Sequence, residues 1–256
     1  MKIMMNNRLG GVPAIVWFSI SILIVSCSHA VGSGIRSQET RTVAPFEQII
    51  VSGKMNITLQ VGANYEVLLS GDDNVVDAVK VRVINNALRI QAPKASIQKQ
   101  QLQVTIVTPR LTGITASLTE NISINMSGSP VDELRIRLSG VGRLDINGVQ
   151  AQSIQSQMDG TGKLTIEGRA NHLNFRISGL GQGNFSHLCL RTASIRVNGM
   201  GKVTINAAEN LEATVKGLGK VAYFGDPSLQ RDVTGGGKIE PIENTAPSSC
   251  GDAQQL

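Results

Sequence analysis

From residue 46 onward, hydrophobic and polar positions alternate almost without a break. Phe46, Ile49 and Val51 are followed by Met55, Ile57 and Leu59, then by Tyr65, Val67 and Leu69. A period of two places every second side chain on one face, the signature of strands buried on one side. The cluster Gly71-Asp72-Asp73-Asn74 interrupts the pattern and predicts a turn that caps a single helical turn through Asp77-Ala78. Alternation resumes at Val81, Val83, Leu88 and Ile90, and again from Leu102 to Val107. Ala92 to Gln101 is a polar break between them, read as a loop. Thr115 to Leu118 and Asn121 to Ile124 read as a degenerate coil without its glycines.

The second half repeats. A Gly-x-Gly step has its first glycine at Gly140, Gly160, Gly179, Gly199, Gly217 and Gly235, at intervals of 20, 19, 20, 18 and 18 residues. Two positions before it stand Leu138, Met158, Ile177, Val197, Val215 and Val233. Between the glycines are Val141, Thr161, Leu180, Met200, Leu218 and Gly236. Four positions after the first glycine come Leu144, Leu164, Val203, Val221 and Ile239; two further on come Ile146, Ile166, Ile205 and Tyr223. The third repeat breaks this pattern, and a slip of one residue there is expected, with Phe185 filling the vacant place.

Each repeat reads as strand, glycine corner, strand and polar return such as Asn147-Gly148 or Glu167-Gly168. One such unit cannot bury its aliphatic face alone, but stacked units align equivalent residues into columns about 4.8 Å apart. The expected fold is all-β: a parallel β-helix, or β-solenoid, with coils of 18–20 residues, in one or two β-helical segments. The boundaries expected are a leader over 1–26, a linker over 27–44, an N-terminal β segment over 45–110, the Gly-x-Gly β-helix over 111–241 and a tail over 242–256.

The leader changes the picture of where the chain works. Lys2 and Arg8 precede an apolar run from Val12 to Val25, too short to span a membrane comfortably and of the length of a signal-peptide core. Ile24-Val25-Ser26-Cys27 resembles a bacterial lipobox, which makes Cys27 the expected lipidation site and first mature residue. Ser28 after it points to an outer-membrane-anchored lipoprotein. The alternative is ordinary cleavage after Ser28-His29-Ala30, giving a soluble periplasmic or secreted protein. Cys189 and Cys250 then remain as either a disulfide pair or two separate thiols. Setting Lys2 and Arg8 aside leaves 22 basic against 19 acidic residues, a balance of +3 that gives no reason to expect nucleic acid.

The opening Pro45-Phe46-Glu47-Gln48-Ile49-Ile50-Val51-Ser52-Gly53, the stretch Ile57-Thr58-Leu59-Gln60-Val61-Gly62, Leu88-Arg89-Ile90 and the Gly-x-Gly-Lys/Arg coils to about Ile239 together resemble one known family. It is the auto-transporter adhesin, head GIN domain family, bacterial exported proteins of unknown function. The resemblance implies export and a β-helical fold, and it carries no catalytic residues.

Little in the mature chain suggests chemistry. His172 and His187 lie in different coils, and no Gly-x-Ser-x-Gly elbow is present. Asp72-Asp73 sit in a turn, and Asp145, Asp159 and Glu167 are isolated on separate coils, which offers neither a carboxylate pair nor a calcium repeat. No cofactor and no metal are expected. The feature with functional colour is basic: Arg143, Lys163, Lys202, Lys220 and Lys238 occupy equivalent positions, interrupted by Gln182, and Arg137, Arg176 and Arg196 form a second column. The first column is either a strip for anionic glycan or lipid headgroups or a solvated face, partly neutralised by Asp145 and Glu167. The expected function is a non-catalytic envelope module for binding, adhesion or scaffolding. Its expected partners are the membrane through a lipid anchor, an anionic glycan, another envelope protein or a second copy in a homo-oligomer. A polysaccharide lyase or hydrolase is the alternative.

Overall fold

The computed structural model describes residues 30–243, apart from 94, 98, 100, 119 and 120. The strands of the N-terminal part are β1 (Ala30–Val31), β2 (Arg36–Thr42), β3 (Gln48–Gly53), β4 (Asn56–Val61) and β5 (Glu66–Asp72). The helix α1 (Asp73–Ala78) follows, then β6 (Lys80–Ile84), β7 (Ala87–Gln91), β8 (Ala95–Ile97) and β9 (Gln103–Thr108). The stacked part holds β10 (Gly113–Leu118), β11 (Asn121–Asn125), β12 (Val131–Gly140), β13 (Arg143–Gly160), β14 (Lys163–Gly179), β15 (Gln182–Gly199) and β16 (Lys202–Gly217). It closes with β17 (Lys220–Phe224), β18 (Ser228–Thr234) and β19 (Lys238–Pro241). All but β1 and β8 belong to one sheet of 17 strands wound into a solenoid of about six turns.

Parallel pairing between successive repeats aligns the apolar columns as the spacing predicts. One runs Ala116, Leu138, Met158, Ile177, Val197, Val215; another pairs Ile122 with Leu144, Leu144 with Leu164, and Val203 with Val221. Nearly all these side chains are fully buried. The expected slip in the third repeat does not fall at the predicted place: a shift of one residue comes later, between the pairs Thr165–Asn184 and Gly168–Leu188. Gly183 keeps the register between Leu164 and Val203, and Phe185 pairs with Ile205. The side chain that Gly183 lacks is replaced by two rings, for a Cβ there would lie 2.7 Å from Phe175 and 2.9 Å from Phe185. The rings meet edge to face at 4.9 Å.

The corners explain their glycines. The first glycine of each step has a positive φ, from 102° at Gly140 to 132° at Gly160. A Cβ on Gly160 would stand 2.5 Å from the Gly140 carbonyl oxygen. That oxygen accepts a hydrogen bond from Thr161 N at 3.1 Å, and Lys163 N donates to Gly142 O at 3.0 Å. Equivalent bonds link each later corner to the one before it, so the corners form their own backbone ladder.

The N-terminal part is continuous with the solenoid, not a separate body. β3 lies between β7 and β10, and β4 between β9 and β11, all parallel. After β1 and β2, the chain thus enters at the second level, leaves it, builds the level beyond through β7 and β9, and returns to the third. Antiparallel strands close this end: β6 on β7, β5 on β9, and β2 on β5. The stretch expected as a linker therefore contains strand β2, and the expected loop over 92–101 contains β8, paired with β1. The helix lies where the turn signal put it, but Asp72 makes no side-chain capping bond. Its buried carboxylate accepts from Gly34 N at 2.8 Å and Lys99 N at 3.0 Å instead, tying the first strands to the cap.

The other end stops differently. Among the described residues, the column Ile136, Ser156, Phe175, Ile195, Ala213 finishes at Arg231, which is exposed. A charge at a core-facing position of the last coil discourages a further strand from stacking there.

Candidate functional site

Strand registration brings the predicted basic residues together. Arg143 pairs with Lys163, Lys163 with Gln182, Gln182 with Lys202, Lys202 with Lys220, and Lys220 with Lys238. All six point outward, because the flanking column positions 144, 164, 203, 221 and 239 point into the core. At rungs about 4.8 Å apart, neighbouring charges repel by roughly 0.9 kcal/mol in water before screening. Glu240 supplies a counter-charge at the end of the ladder: it forms an ion pair with Lys220, and that ammonium, with Lys238 adding a smaller effect, holds the carboxyl below the usual carboxylate range. Asp145 lies in the next outward column, with Thr165, Asn184, Thr204, Ala222 and Glu240. Glu167, expected beside the ladder, lies in a groove at another bend of the coils. The second basic column is also in register: Arg137, Gln157, Arg176, Arg196. Its Arg196 pairs with Glu212 at 3.4 Å.

Immediately beside the ladder is a feature the repeat contained but whose exposure the pattern did not disclose. The residues between the glycines crown the corner and face solvent: Val141 is 62% exposed, Leu180 51%, Met200 56% and Leu218 65%. The signal was available, since corners facing water normally carry polar residues, and four of these six are large and apolar.

The groove was not foreseen. It has a volume of about 880 Å³, and Arg110, Asp132, Glu167, Arg169, His187 and Cys189 contribute its functional groups. It assembles from bends of several coils, which no single repeat reveals. His172, the other histidine, is elsewhere, with its Nδ1 at 2.6 Å from Thr192 Oγ1. Cys189 is disulfide-bonded. Cys250, its partner in one of the two readings of the sequence, and Cys27, the expected lipidation site, lie outside the described residues. Among the described residues, no group of three or more His, Cys, Asp or Glu side chains is placed to hold a metal ion.

The family model described as "Putative auto-transporter adhesin, head GIN domain" matches residues 45–227. The chain belongs to this family. Among solved structures, a "putative adhesin" from Bacteroides fragilis is 26% identical with a TM-score of 0.76, covering 83% of this chain and 100% of its own. A "putative adhesin" from Parabacteroides distasonis shares 22% identity with a TM-score of 0.64, covering 84% and 100%. A "Putative lipid binding protein" from the same organism shares 18% identity at a TM-score of 0.64, covering 84% and 99%. No curated protein matches the chain.

Proposed function

We propose that this protein is a non-catalytic module of the cell envelope that binds an anionic ligand along the face of its solenoid. The in-register ladder Arg143, Lys163, Lys202, Lys220 and Lys238 carries this reading. Stacked cations cost the fold electrostatic energy that the adjacent outward column, mostly Thr, Asn and Ala, avoids. A ligand with regularly spaced negative charge converts that cost into binding energy and raises the encounter rate. Export through the leader over 1–26 and anchoring at Cys27 place the module at the outer membrane. Cys250 is the partner this reading assigns to the disulfide-bonded Cys189.

The test is titration calorimetry of residues 28–256, which keep every described strand, against acidic and neutral bacterial polysaccharides. Saturable heat that weakens with salt, and is lost when Lys163, Lys202 and Lys238 become Gln, supports the ladder as the site. Heat that continues without saturating means turnover and overturns the non-catalytic reading. Equal heat with the triple variant removes the ladder from the binding surface.

A further inference from the structure

We infer that the Gly-x-Gly edge of the solenoid docks on an anionic lipid surface, with Val141, Leu180, Met200 and Leu218 entering the acyl region while the adjacent ladder pairs with headgroup phosphates. The inference rests on the proposed function and names its partner. Four large apolar side chains, each more than half exposed, line one straight edge. From Val141 to Leu218 the crest runs four rungs, about 19 Å. Thr161 is the polar rung within it, and Gly236 ends it. Two residues along the chain from the crest positions runs the ladder: Arg143, Lys163, Lys202 and Lys220 beside Val141, Thr161, Met200 and Leu218, with the neutral Gln182 beside Leu180. On the other flank are Ser139, Asp159, Ser178, Asn198, Lys216 and Thr234, short or uncharged for the most part.

An apolar line beside a cationic line is the arrangement by which interfacial amphipathic helices hold an anionic bilayer. Here it is built on coil corners that the backbone ladder holds rigid. The crest is one residue wide, too narrow to supply the 1,200–2,000 Å² or so that a stable protein interface buries. A bilayer accepts a narrow wedge, and its phosphates complement the flanking cations.

The chain's single tryptophan is Trp17, so residues 28–256 carry none and Met200→Trp becomes a unique reporter. Its emission is expected to shift to the blue with phosphatidylglycerol-containing vesicles, not with pure phosphatidylcholine, and to be quenched by brominated acyl chains. Vesicle co-sedimentation of the Leu180→Ser, Met200→Ser, Leu218→Ser variant is expected to fall at least about tenfold, with its unfolding midpoint and polysaccharide heat unchanged. Vesicle binding without the blue shift would mean that phosphates meet the ladder alone; the docking edge is then wrong and the anion-binding reading stands. No binding to vesicles or polysaccharide overturns both. A blue shift that grows with protein concentration in the absence of lipid assigns the crest to a second copy and overturns the inference.

Discussion

Ser156 offers a test of the core whose expected sign is opposite to that of most core substitutions. It occupies the inward column between Ile136 and Phe175, 6% exposed, and its hydroxyl finds no hydrogen-bond partner among the described residues. A buried hydroxyl without a partner costs about 1–3 kcal/mol of desolvation. Ser156→Ala removes the oxygen and keeps the backbone and Cβ, at the loss of a few dispersion contacts. The net expectation is a gain of about 1 kcal/mol, or about 2–4 °C in unfolding midpoint for a chain of this size. Urea titration followed by far-ultraviolet circular dichroism measures it without a tryptophan. A loss of stability in Ser156→Ala would refute the reasoning, because it would require a partner for the hydroxyl, such as a buried water, worth more than its desolvation.

Two further perturbations probe the corners and the open end. Gly160→Ala meets both a positive φ and the Gly140 carbonyl oxygen at 2.5 Å, whereas Gly128→Ala meets a positive φ with nothing within 4 Å. The first should cost at least about 3 kcal/mol and the second about 1 kcal/mol, and equal losses in chemical denaturation would remove the stacked corner as the cause. Arg231→Leu places an aliphatic beside Val233, already 40% exposed, at the end of the core columns. Concentration-dependent association in sedimentation velocity is expected for that variant and not for the parent.

The repeat made the coils legible because each column position recurs in six segments, so one irregular segment cannot hide the period. Gly183 shows where such reading strains. Its lost side chain looked like a slip of register, and only packing reveals that Phe175 and Phe185 fill the gap. Strand β2 was invisible for a different reason. Arg36–Thr42 contains no aliphatic residue, and its place in the sheet comes from backbone pairing with β5, a long-range contact that no local pattern encodes. The ladder was readable residue by residue, since charge and register both follow from spacing. The groove was not, because its walls come from bends contributed by residues between 110 and 189. The apolar crest stood in the sequence throughout, but its meaning depends on exposure.

The order in which the chain visits the levels has a consequence for growth and inheritance. β3 and β4 are enclosed by β7 and β9 on one side and β10 and β11 on the other, so these early strands must wait for later ones before they are covered. The N-terminal cap is therefore complete only once β10 and β11 are in place, whereas each coil after it contacts only its neighbours. A duplication of one repeat between two Gly-x-Gly corners disturbs neither the N-terminal cap nor the coil that carries Arg231. It lengthens crest and ladder together by one rung, about 4.8 Å, so descendants of this gene can extend their reach by copy number alone.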